Sequence, residues 1–127
     1  MLVLGAPLAA PTVMPRRIAP DKLALQVGQR IRDLRIAAGL TIEELAETSK
    51  LGSKGHLSNM ERGLVRPNIQ TLKLIANGLG VLPLDLMNFP KKDARQQLIE
   101  LTRQLSVKQL HETLRGLVKK SQPVSRR

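Results

Sequence analysis

Residues 40–67 read LTIEELAETSKLGSKGHLSNMERGLVRP, and this stretch decides the fold. Thr41 can cap a helix, and Glu44 three residues later completes a capping box. Leu40, just ahead of the cap, can staple onto Leu45. The helix so started is expected over roughly Ile42 to Thr48, with Leu45 and Ala46 facing inward. Ala46 is small, as a close helix crossing requires. Ser49-Lys50-Leu51-Gly52 then makes a tight connection, with Gly52 available for positive φ. Ser53 is placed to cap a second short helix, roughly Lys54 to Arg62, that stops at Gly63. Leu57 and Met60 give it a buried face, with Glu61 beside them. Lys54, Gly55, His56, Ser58 and Asn59 form its outward face.

The flanking sequence supplies further helices. Ala24, Val27, Ile31, Leu34 and Ala38 recur at steps of three and four, one apolar stripe on a helix of roughly residues 21–38. Pro20 suits its first turn and Gly39 its end. Arg30, Arg32, Asp33 and Arg35 are expected to point away from that stripe. After Pro67, Asn68 can cap a helix over residues 69–79, with Leu72, Ile75, Ala76 and Leu79 inward and Gly80 at its end. Pro83 opens a short helix over residues 84–87, and Phe89 and Pro90 close the domain. Beyond it, Leu98, Leu101 and Leu105 mark a helix of roughly residues 92–105. Ser106 with Gln109 makes another capping box. Val107, Leu110, Leu114 and Leu117 follow as a narrow seam of the kind that pairs helices. No strand pattern survives, so the chain is expected to be all-α.

Composition narrows the function. With one phenylalanine, no tryptophan or tyrosine, and 42% apolar residues, the core must be aliphatic. The absence of cysteine excludes disulfides, thiolate catalysis and cysteine–zinc sites. The formal charge is +11, of which the residues from Lys91 onward supply +7. That balance favours polyanionic partners, nucleic acid first. No apolar run approaches the roughly 20 residues that span a bilayer, so no membrane role is expected. The opening MLVLGAPLAAPTVMPRR lacks the basic start of a secretory signal. A cytoplasmic location is the default, and Met14 is an alternative start. The expected organisation is a disordered arm over 1–20, a DNA-binding domain over 21–90, a basic amphipathic helical extension over 91–120 and a disordered tail over 121–127.

Residues 27–88 resemble the Cro and phage-repressor (Xre-like) helix-turn-helix family. The resemblance is carried by Arg32 and Arg35, by Ala38-Gly39-Leu40-Thr41 and by Glu44-Leu45-Ala46. It continues through Leu57-Ser58, Met60-Glu61-Arg62-Gly63, Arg66-Pro67, Thr71-Leu72 and Leu79-Gly80-Val81. It implies a five-helix repressor-like domain whose third helix enters the major groove of double-stranded DNA. On that basis Ser53 contacts a phosphate, and Lys54, Gly55, His56 and Asn59, with Ser58 on the same face, meet base edges. Lysine donates to guanine acceptors, and asparagine can pair with adenine. Lys50, Arg62 and Arg66 are candidate phosphate contacts. Arg35 and Glu61 pair in this family; the pair orients the third helix, and Arg35 is also a candidate phosphate contact. Two departures stand out. The turn through Ser49-Lys50-Leu51-Gly52 is one residue longer than usual, which could re-aim the third helix. Ile42 stands where many relatives carry a phosphate-gripping glutamine, and neighbouring Glu43 is mildly repulsive to DNA.

The function expected is sequence-specific transcription regulation, as a homodimer; the leucine seam after Pro90 either makes its dimer contact or packs back on the same domain. The alternative is a protein-interaction module that binds a partner protein through the C-terminal helices. An enzyme is not expected, because no nucleophile–base constellation or phosphate-cradling glycine loop appears. No cofactor and no metal are implied; His56 and His111 are far apart in sequence. Glu43, Glu44 and Glu47 sit at a helix start, where carboxylates suit the dipole.

Overall fold

The computed structural model describes residues 19–121. Most of the expected arm (1–18) and most of the expected tail (122–127) therefore lie outside the described residues. Seven helices and no strand make up the described chain. They are α1 Lys22–Ala37, α2 Ile42–Thr48, α3 Lys54–Glu61, α4 Ile69–Leu79, α5 Pro83–Leu86, α6 Ala94–Arg103 and α7 Val107–Ser121. None of them is long and apolar enough to cross a membrane. Several boundaries differ from the sequence reading: α3 ends at Glu61 with Arg62 as its cap, α5 covers Pro83–Leu86 and not 84–87, and α6 covers Ala94–Arg103 and not 92–105. Asp21 is the cap of α1 rather than a helical residue, its carboxylate accepting from the Ala24 amide, so Pro20 precedes the cap. Ala38, expected on the inner stripe, is the exposed C-cap of α1. Ser121, expected to open the tail, is the last residue of α7.

The caps read from sequence form. Thr41 Oγ1 accepts from the Glu44 amide at 3.1 Å, while Glu44 Oε1 accepts from the Thr41 amide at 2.8 Å. That backbone hydrogen bond holds the Glu44 carboxyl below its usual range. Asn68 caps α4 through the Thr71 amide, and Ser106 and Gln109 cap α7 reciprocally. The core is aliphatic, as the composition requires. Ile31, Leu45, Leu57, Met60, Ile75 and Leu86, from five different helices, are fully buried. Each such side chain contributes about 1.5–3 kcal/mol by leaving water.

Two mid-helix glycines, which the periodicity reading passed over, let these helices approach. A Cβ on Gly28 of α1 would lie 2.2 Å from the Met60 carbonyl oxygen and 2.7 Å from that of Glu61. A Cβ on Gly78 of α4 would lie 2.9 Å from Cβ and the backbone nitrogen of Ser49. Both neighbours are backbone or close to it and cannot swing away. Gly28 therefore sets the depth at which α3 seats on α1, and Gly78 does the same for α4 on the end of α2.

Arg30 overturns an expectation. Expected to point away from the apolar stripe, it is instead buried, 8% exposed, and Arg35, for which the same is expected, is also buried. The stripe itself explains Arg30: 27, 30, 31 and 34 share one helical face. Arg30 Nε donates to the Asp85 carbonyl at 2.8 Å, and its Nη2 lies 2.5 Å from Glu100 Oε1. Arg103 holds the other carboxylate oxygen at 2.9 Å. Hydrogen bonds from Arg103 and then Arg30 lower the Glu100 pKa to about 2. Asn88 adds a hydrogen bond to the Gln96 carbonyl. So α6 is tied to α1 through Arg30 and to the segment after α5 through Asn88, with no buried residue of its own. Likewise α7 has none.

Helical glycines at different sites should respond oppositely to alanine. Gly28→Ala is expected to destabilise the fold by about 3 kcal/mol, because the methyl group meets the backbone of α3. Gly116 has open space around its Cβ position, so Gly116→Ala is expected to stabilise by about 0.5–1 kcal/mol. Urea unfolding of the two variants checks both signs.

Candidate nucleic-acid interface

The rear of α3 is fixed by packing and by one ion pair. Leu57 and Met60 are buried against α1 and α2. Beside them, Glu61 accepts from Arg35 in a bidentate arrangement, Nε to Oε2 at 2.7 Å and Nη2 to Oε1 at 3.1 Å. Arg35 Nη1 donates to the Leu40 carbonyl at 2.9 Å. A fork-to-fork pair fixes angle as well as distance, so α3 has one orientation relative to α1. All three nitrogens of Arg35 are thus engaged within the protein, and its side chain is 11% exposed. This places Arg35 behind α3 and not on the face with the other candidate contacts.

The front of α3 is open. Ser53, Lys54, Gly55 and His56 are exposed, Ser58 and Asn59 are half-buried, and Arg62 is exposed at the C-cap. Ser53 caps the helix by accepting from the His56 amide at 3.1 Å. Helix α3 starts at Lys54, as the sequence predicts. The turn ahead of it opens with a closed ending of α2. The Lys50 amide donates to the Glu47 carbonyl and the Leu51 amide to that of Ala46, which is a Schellman ending. Helices α1 and α3 end in the same way with glycine at positive φ, but α2 ends with Lys50 at φ 59. Gly52 follows at φ 72.

Two features of this front are poor for stability. Lys50 occupies a left-handed position that glycine takes without penalty. Gly55 lies in the first turn of a helix with only Ser53 Oγ, at 4.0 Å, near its Cβ position. Among the described residues no contact calls for either choice. Of the two, only Lys50 is a backbone outlier, and such outliers cluster at functional sites.

The electrostatics are mixed. The positive end of the α3 dipole, Lys50 and Lys54 lie on one side of the front. Lys54 Nζ is 3.1 Å from Glu43 Oε1 of α2, a pairing that the sequence reading missed. Arg66, a predicted phosphate contact, is bound instead at the start of α1, its Nη2 2.9 Å from Asp21 Oδ1. It remains largely exposed there, with its side chain 59% accessible.

A helix-turn-helix family profile matches residues 31–86. The HTH-type transcriptional regulator DdrOP3 of Deinococcus deserti is 32% identical over 63 residues, covering 50% of this chain and 48% of that protein. The immunity repressor of Bacillus phage phi105 is 39% identical over 57 residues, covering 45% and 39% respectively. The chain thus spans less than half the length of either relative. Among solved structures, the SinR protein in its complex with the SinI protein aligns with a TM-score of 0.54 at 33% identity. It covers 76% of this chain and 99% of that one. The clp gene regulator ClgR of Corynebacterium glutamicum aligns with a TM-score of 0.51 at 31% identity, covering 56% and 90%.

Restoring local backbone preference on the front of α3 should raise stability. Lys50→Gly is expected to stabilise by about 1 kcal/mol, and Gly55→Ala by about 0.5 kcal/mol. Thermal and urea midpoints of each variant read the gain.

Proposed function

The chain belongs to the Cro and phage-repressor family of helix-turn-helix proteins, and from that premise we propose that it is a cytoplasmic, sequence-specific DNA-binding regulator of transcription. The observation that carries the reading is the contrast between the two sides of α3. Its rear is locked by Arg35–Glu61 and buried leucine and methionine, while its front is exposed and retains Lys50 and Gly55 against local stability. A face kept that way fits a partner that approaches the backbone closely and needs cations at the helix start. DNA meets both needs. The names of the relatives, a regulator and a repressor, support binding over catalysis.

In this reading Lys54 and Asn59 read base edges in the major groove, with His56 and Ser58 beside them and Gly55 allowing close approach. Lys50, Ser53, Arg62 and Arg66 hold phosphates. Arg35 acts through Glu61 by aiming α3. One such domain reads a short site, and two related by a two-fold axis would read half-sites about 34 Å apart.

The second copy is assigned to α7. Leu110, Leu114, Leu117 and Val118 lie on one side of that helix and are all exposed, Leu114 to 57%. Lys108, Arg115 and Lys119 lie on the opposite side, so pairing the apolar faces leaves the cations apart. A different protein on this face is the second reading. It is favoured by the SinR–SinI complex, whose alignment covers more of this chain than the helix-turn-helix domain occupies.

The direct test is a salt-dependent titration on a duplex selected from a randomised library and on its scrambled counterpart. The wild type is expected to prefer the selected duplex. A Lys54→Ala, Asn59→Ala double variant should lose about 10- to 100-fold of that preference and keep a steep salt slope on both duplexes. Equal preference in wild type and variant would refute base reading by α3. For the dimer, Leu114→Asp is expected to yield monomers in sedimentation equilibrium with α-helical content intact. A dimer that persists would remove α7 from the interface.

A further inference from the structure

The leucine seam occupies one side of α7, and the other side is cationic. Lys108, Arg115 and Lys119 follow one another at seven and four residues, spacings that put them in a single row along the helix. That row is about 16 Å long at the rise of an α-helix. All three are exposed, and Lys120 flanks the end of the row. Glu112 stands within one turn of both Lys108 and Arg115, yet among the described residues none of these cations is in an ion pair. In the rest of the described chain Arg30, Arg35, Lys54, Arg66 and Arg103 are all held by carboxylates.

Helix stability does not account for this face. Lys119 and Lys120, in the last turn, suit the negative end of the helix dipole. Lys108 is the second residue of the helix, at the positive end, where a cation is unfavourable. Gly116, one turn ahead of both Lys119 and Lys120, weakens the helix interior. Gly28 and Gly78, also within helices, each seat a neighbouring backbone, whereas the Cβ position of Gly116 meets nothing within 4 Å. Packing does not account for the face either, because α7 has no buried residue. It joins a row of unpaired cations to a notch that bares the helix backbone. A phosphodiester strand matches both, since its charges repeat along a line and its bulk must come close. An anionic membrane would need the leucines of the other side as its anchor. Those are assigned above to a second copy, and α7 carries no aromatic residue to take their place.

We propose that the cationic face of α7 is a second DNA-contact surface, which takes the phosphates of duplex DNA and reads no bases. This rests on the protein being a DNA binder, as proposed above, and not on which bases α3 reads. Its consequence is a division of labour. Phosphate contacts from α7 add affinity on any sequence, and the front of α3 supplies the preference.

A triple variant, Lys108→Gln with Arg115→Gln and Lys119→Gln, tests this by fluorescence anisotropy on the selected and scrambled duplexes over a range of salt. A second triple, Lys91→Gln with Lys92→Gln and Arg95→Gln, removes the same charge from exposed positions ahead of α7. Sedimentation equilibrium and thermal melts of each protein read assembly and folding separately. In the α7 variant the salt slope is expected to fall by about 2.7 on both duplexes, three phosphates at about 0.9 each. The ratio of the two affinities should stay within about twofold of wild type. The second triple should lower the slope by less than about 0.9. Gly116→Gln fills the notch without changing charge; it should raise the thermal midpoint and weaken both duplexes about three- to fivefold. Three results would overturn the proposal alone: an α7 variant with an unchanged slope, an equal fall in the second triple, or a fall that appears only with loss of the dimer. Wild-type binding to phosphatidylserine vesicles that the α7 variant loses, with its DNA slopes unchanged, would give the face to a membrane instead. A wild type that binds neither duplex would overturn the DNA-binding reading as well.

Discussion

Arg35 is held on three sides, by both oxygens of Glu61 and by the carbonyl of Leu40. The arrangement ties the last turn of α1, the residue that leads into α2 and the last turn of α3 into one unit. Removing either charged partner would leave the other buried and unpaired, which costs about 3–5 kcal/mol. Such a pair adds less to net stability than to geometry, because desolvation offsets much of its attraction. Geometry is what a helix proposed to read bases needs. Gly28 adds the second constraint by letting the backbone of α3 sit directly against α1. Distance is then set by a missing side chain and angle by a forked ion pair.

Much of this was legible in the sequence, and the reasons are local. The caps at Thr41, Ser53, Asn68 and Ser106 involve residues three apart, so they read directly as hydrogen bonds. The apolar stripes of α1 and α4 follow from the 3.6-residue period. The Arg35–Glu61 pair is 26 residues apart and came from the family resemblance, not from periodicity. Three features were missed, and each depends on a tertiary neighbour. Gly28 and Gly78 look like weak points in a helix until the crossing backbone is known. Arg30 sits on the stripe face, but its partners, the Asp85 carbonyl and Glu100, come from 55 and 70 residues away. The Lys54–Glu43 contact needed the angle between α2 and α3. The candidate interface was legible as a set of residues on one helix face. Its separation into front and rear, with Arg35 behind and Arg66 drawn toward Asp21, was not.

The extension is joined to the domain in a particular way. Polar contacts centred on Glu100 hold α6 beside α1, and half-buried Ile99 faces a groove with Val81, Leu82 and Leu84. With a pKa near 2 set by Arg103 and Arg30, that carboxylate stays ionised through the neutral and mildly acidic range. Its contribution is complete above the ordinary value of 4.5 and fades as pH falls toward 2. This ion-paired contact between α1 and α6 is therefore retained across that range. If α7 brings two copies together, the spacing of the two reading helices passes through Arg30 and Glu100.

The measurement that bears most directly on the central claim is an NMR titration of the ¹⁵N-labelled protein with the selected duplex, following every backbone amide. The account predicts that the largest shifts fall on residues 50–62, the end of the turn and the front of α3. Amides of the buried core, Ile31 and Ile75 among them, should stay nearly still. Shifts confined to α6 and α7, with α3 unmoved, would contradict it, because DNA would then be held by the basic extension alone.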